Sequence, residues 1–194
     1  MQTPPNDTTP SIVRPMSTSV AILAGILRLV PHPPNFTPVG ALGLFAGGRL
    51  PSWYAFAAPI AVMVLSDIVL RVFWDYPPFD PFVYGSILLN VLLGRWLCRK
   101  SSVGRIGLAG VLASVQFFLV TNFGAWLQLS SPTFATYTPD LNGLLACYVA
   151  ALPFFGNTLL GDLTFVAVFF GLHAVLSRWA FPRERVLATE QASS

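Results

Sequence analysis

Charge is what this sequence has least of. Only 10% of its 194 residues are Asp, Glu, Lys or Arg, against 54% hydrophobic, and the mean hydropathy is +0.66. Soluble domains carry about a quarter charged residues, so a water-facing shell around a chain of this length is excluded. Cysteine is almost as scarce. Cys98 and Cys147 stand alone, too few for a disulfide framework and without metal-type spacing. There is no Walker loop, HExxH, GxSxG or dinucleotide fingerprint. No enzymatic activity, cofactor or metal is therefore expected, and any ATP-powered work would need partner subunits. No basic stretch interleaved with aromatics points to nucleic acid. Residues 1–15 lack the Lys/Arg-then-apolar opening of a secretory signal. Their Thr, Pro, Asn and Ser content reads as a disordered head, and residues 182–194 as a polar tail.

What the chain has instead is apolar runs. A spanning helix needs about 20 mostly apolar residues. Trp53 to Phe73, Phe82 to Cys98 and Arg105 to Leu129 read as spans, with Asn157 to Phe181 as the last. Two shorter runs, Ser17 to Val30 and Val39 to Leu50, come first. Leu141 to Leu152 reads as an apolar piece ended by Pro153, because proline lacks the N–H a helix interior uses. The expectation is an all-α integral membrane protein with six transmembrane helices over 16–181.

Lys and Arg concentrate on the cytoplasmic side of membrane proteins. Arg95, Arg99, Lys100 and Arg105 crowd one loop, Arg178, Arg183 and Arg185 follow the last span, Arg14 precedes the first, and Arg49 lies between the second and third. Six spans bring all of these to one side. Both termini are then cytoplasmic.

Polar and ionisable groups inside a bilayer are costly and mark function. Under this orientation they fall in the outward halves of their helices: Arg28, Asp67, Arg71, Tyr84, Asn122, Asn157 and Asp162, with Asn35 in the first outer loop. Asp67 and Arg71, four apart on one helix, have the spacing to neutralise each other. Asp162 has no cationic helix neighbour and needs a partner from another helix, Arg28 or Arg71, or a ligand. Asn122 and Asn157 suit interhelical hydrogen bonds. His32 reads as an exposed loop residue, and Trp74, Tyr76, Phe79 and Phe82 as an interfacial aromatic belt. Small residues recur at spacing four, as Ser17, Ala21, Gly25 and as Gly43, Gly47. Such stripes let helices approach closely.

Four stretches carry a family resemblance: Pro33-Pro34-Asn35-Phe36-Thr37-Pro38-Val39-Gly40-Ala41; Ser66-Asp67 with Phe82-Val83-Tyr84-Gly85-Ser86; Val120-Thr121-Asn122-Phe123-Gly124; and Cys147 through Asp162. They resemble uncharacterised bacterial membrane proteins related to the substrate-binding S components of energy-coupling-factor (ECF) vitamin transporters, over most of Arg28 to Gly171. The resemblance implies an S-component-like six-helix bundle with the ligand near the outer face. It also implies docking of the first-helix stripe, Ser17, Ala21 and Gly25, on a coupling subunit of an ECF energising module. Ser and Gly stand there in place of the usual alanines. Solitary relatives resemble cobalamin transporters that use a cysteine after the third helix; Arg71 to Tyr84 holds Asp75 and Asp80 and no cysteine.

The functional expectation is a binding and uptake protein for a small vitamin-like molecule, with cobalamin or a related corrinoid the leading ligand. Arg28, Asn35, Asp67, Arg71, Tyr84, Asn122, Asn157 and Asp162 would line its site. The rivals are a membrane enzyme using Asp67 or Asp162 as acid or base on a lipid-like substrate, and a structural or assembly subunit.

Overall fold

A computed structural model describes residues 15–51, 53–75, 79–100 and 102–179. Residues 1–14, the tail, Tyr76, Arg183 and Arg185 lie outside the described residues, and Pro15, the last residue of the expected head, opens the first helix. Within them the chain is all-helical, with six helices: α1 (Pro15–Leu29), α2 (Val39–Arg49), α3 (Tyr54–Trp74), α4 (Pro81–Leu93, running on through a π-helical turn, Gly94–Cys98), α5 (Val103–Leu129) and α6 (Leu141–Trp179). Four of them, α3, α4 with its π turn, α5 and α6, are long and apolar enough to cross a membrane. The protein is membrane-embedded. At 1.5 Å per residue α1 spans about 22 Å and α2 about 16 Å, so neither alone matches a hydrocarbon core of about 30 Å.

The Leu141 to Leu152 expectation needs correcting. Pro153 lies inside α6, which runs unbroken for 39 residues. Proline removes one backbone donor, and transmembrane helices tolerate that where neighbours satisfy the freed carbonyl. Asp140, just before α6, accepts from Gly143 N–H (2.8 Å) and from the Thr138 hydroxyl (2.6 Å). It is the acidic cap a helix N-terminus favours. Asp80 does the same for α4, accepting from Phe82 N–H at 2.8 Å, with Pro81 at the first helical position.

α2 is the centre of the bundle. Every residue from Val39 to Arg49 is buried, and the helix packs on all five others. Its Gly43 and Gly47 permit this. A Cβ on Gly47 would strike the Val91 carbonyl, and one on Gly94 the Leu44 carbonyl, so α2 and α4 touch backbone to backbone. The expected GxxxG packing is thus present within the chain. Phe45, fully buried on α2, meets Phe169 and Phe170 of α6 edge-on.

The first-helix stripe is also spent internally. Ser17 and Ala21 are buried, and a Cβ on Gly25 would press on Val62 of α3 at 3.0 Å. Ile22 and Ile26, both 56% exposed, form the outward face of α1.

At the end of the bundle holding Arg49, Arg95 and Arg105, the side chains of Arg49, Leu50, Leu97 and Cys98 are buried. Arg49 donates to the Cys98 carbonyl at 2.7 Å and lies over Phe170 at 4.9 Å. Arg105 donates to the Trp96 and Leu97 carbonyls. A cation at the end of α2 complements the negative end of its dipole.

Candidate ligand cavity

The opposite end of the bundle is open. There the end of α1, the 30–38 loop and the start of α2 meet the facing parts of α3 to α6 around a cavity of about 560 Å³. Met63, Leu70, Val83, Phe117, Phe118 and Phe154 give it apolar walls. A few polar side chains enter: Arg28, His32, Asn35, Thr37, Thr121, Asn122, Thr158 and Asp162. An apolar pocket with a handful of convergent polar groups is the usual form of a small-molecule site.

Asp162 is the deepest charge, 3% exposed. Its partner is neither Arg28 nor Arg71. The carboxylate accepts from the Ser114 hydroxyl of α5 at 2.7 Å and from the Ala41 N–H in the first turn of α2. Pro38, at the N-cap of α2, makes no side-chain cap, so Asp162 supplies one from α6. The first N–H groups of a helix lack internal partners and carry its positive dipole end. This arrangement explains Gly40, where any Cβ would collide with the Asp162 carboxylate. The two buried ends of α2 are therefore met by complementary groups, the Asp162 carboxyl at its start and the Arg49 guanidinium at its end.

Arg28 spans the rim between α1 and α3. Its guanidinium pairs with Asp67 at 2.5 Å and donates to the Ser66 hydroxyl at 2.5 Å. Tyr84 of α4 donates its hydroxyl to Asp67 at 2.6 Å, so one carboxylate ties three helices together. Asp67 and Tyr84 thus stand behind Arg28 rather than on the cavity wall. The expected pairing of Asp67 with Arg71 gives way to this arrangement, and Arg71 is exposed on α3 and does not line the cavity. The reason is axial: Asp67 faces α1 and α4, and Arg71, one turn further along the same face, lies in the exposed last turn of α3.

The 30–38 loop is the roof. Asn35 sits at its tip with φ 63°, a left-handed conformation that asparagine tolerates better than most residues. Asn157 is not in the cavity; its amide donates to the Pro34 carbonyl at 3.0 Å and pins the roof to α6. Phe36 packs on Phe165, and Gly161 leaves room for the Phe36 and Thr37 backbone.

Of the eight expected site residues, Arg28, Asn35, Asn122 and Asp162 line the cavity. Asp67, Tyr84 and Asn157 support it, and Arg71 stands outside it. Sequence reasoning missed Ser114 and Gly40, whose importance depends on where α2 begins in space. His32 is an exposed loop residue and Trp74 is exposed, as expected, and both also border the cavity mouth. Thr121 and Thr158 complete the polar lining.

One family model matches this chain, over residues 10–185: a family of unknown function, DUF6580. No curated protein and no solved structure matches it.

Proposed function

We propose that this chain, which belongs to the DUF6580 family, is a membrane-embedded binding and uptake protein for a small vitamin-like molecule. One observation carries the reading. A bundle that buries Arg49, Leu50, Leu97 and Cys98 at its basic end holds at the other a largely apolar cavity with a few convergent polar groups, of the volume drug-sized ligands use. The sequence resemblance to S components supports it independently, since that architecture implies a six-helix bundle with a ligand near the outer face.

The concentration of arginine at the basic end supports a cytoplasmic-membrane orientation with both termini inside and the cavity outside. The 30–38 roof, held by Asn157 and Phe36, is the element that would open for exchange. A complete corrinoid is larger than 560 Å³ and would stand part-way out of the mouth, so the reading favours a smaller heterocycle over cobalamin. Energy would come from an ATPase module meeting the apolar face of α1, or uptake would be passive equilibration.

Native mass spectrometry of the protein purified from its own cells tests the reading. A retained small molecule is expected, lost on Phe118→Ala with Asn122→Leu. Protein ions carrying lipid alone would overturn it.

A further inference from the structure

We propose that the cavity takes a planar aromatic or heteroaromatic cation bearing N–H donors, of the amidinium or aminopyridinium type, and rejects anions of the same shape. This rests on the cavity being a ligand site, and it names the class of ligand.

The argument follows the donors of the lining side chains. Thr121 gives its hydroxyl proton to the Phe117 carbonyl (2.7 Å), and Thr158 gives its own to the Phe154 carbonyl (3.2 Å). The Asn122 amide donates to the Phe118 carbonyl at 2.8 Å. Each is satisfied one turn back on its own helix. What Thr121 and Thr158 have left is lone pairs, and Asn122 offers its carbonyl oxygen together with its second amide N–H. Asp162 adds a carboxylate at the floor.

Positive charge is cancelled or occupied. Arg28 is paired with Asp67 and bonded to Ser66 at the rim. The N-terminus of α2, the one anion-attracting feature of the floor, already holds Asp162. An entering anion would give up its hydration and meet that carboxyl group, while Arg28 is already paired with Asp67; the donors left to it, on His32, Asn35 and Thr37, belong to the mouth and roof. A cation with N–H groups finds acceptors on α5 and α6, and the faces of Phe117, Phe118 and Phe154 suit it as well.

The test is isothermal titration of the full-length protein in lipid nanodiscs with benzamidine, benzamide and benzoate. These present one planar ring with a cationic, a neutral and an anionic head. Benzamidine is expected to bind about tenfold or more tighter than benzamide, and benzoate to give no saturable heat. Asp162→Asn is expected to remove most of the preference for benzamidine. Thr158→Val, which leaves the α2 cap intact, is expected to weaken benzamidine more than benzamide and serves if Asp162→Asn does not fold. Benzoate binding as tightly as benzamidine would overturn the inference and leave the ligand-site reading standing. No binding of any of the three would also overturn it; the ligand-site reading falls with it only if native mass spectrometry finds nothing retained.

Discussion

Asp162 illustrates how a buried charge is made tolerable in a membrane chain. Its two donors come from different helices, Ser114 of α5 and Ala41 of α2, so the carboxylate fixes α6 against both. Gly40→Ala should destabilise the protein by about 1–3 kcal/mol, the usual cost of overpacking, read as a lower thermal midpoint in detergent. Gly40→Ala combined with Asp162→Ala should cost less than the sum of the two, because the clash and the carboxylate disappear together. Arg28→Met leaves Asp67 unpaired and should cost about 3 kcal/mol, whereas Arg28→Met with Asp67→Leu should recover most of the loss. An additive double variant would deny the ion pair its role. The need for a partner to Asp162 was legible in the sequence, because lipid forbids a lone carboxylate. The partner's identity was not. It is a helix end, made of backbone N–H groups that no side-chain pattern advertises.

At the scale of elements, α2 is the least ordinary. It is 11 residues long, wholly buried and capped at both ends by charges from its surroundings or its own last turn. Its amides should be the slowest to exchange hydrogen in the molecule, and those of α1 should be faster. Hydrogen exchange in nanodiscs reads this directly, and fast exchange across Val39–Arg49 would contradict the packing. The glycines that allow α2 to sit there were visible as a GxxxG, as were the approximate limits of α1, α3, α4 and α5. α6 was not readable as one helix, because Pro153 is a breaker in water and a tolerated interruption in a membrane bundle. The cap on α6 has a pH signature. The Thr138 hydroxyl and then the Gly143 N–H hold the Asp140 carboxyl below the ordinary aspartate value. The cap therefore stabilises α6 above that ordinary value and is lost as pH falls through the folded one. Asp140→Ala should lower the thermal midpoint at neutral pH and have no effect in strong acid.

For the whole molecule, the defining asymmetry is between a basic end and a polar, open one. Half of the expected site was legible because the bilayer leaves few places for charge. The roles of Arg71 and Asn157 were not, because Arg71 falls in the exposed last turn of α3 and Asn157 meets the Pro34 carbonyl, which only the folded 30–38 loop places beside it. The central claim is that a solvent-open cavity is sunk into the bundle at the end opposite the arginines. Thiol labelling of Thr158→Cys in intact cells, with Cys98 and Cys147 replaced by serine, tests it most directly. The account predicts rapid modification by a membrane-impermeant reagent and slowing by saturating benzamidine. A thiol at position 158 as unreactive as Cys98, which is fully buried in the native chain, would contradict it.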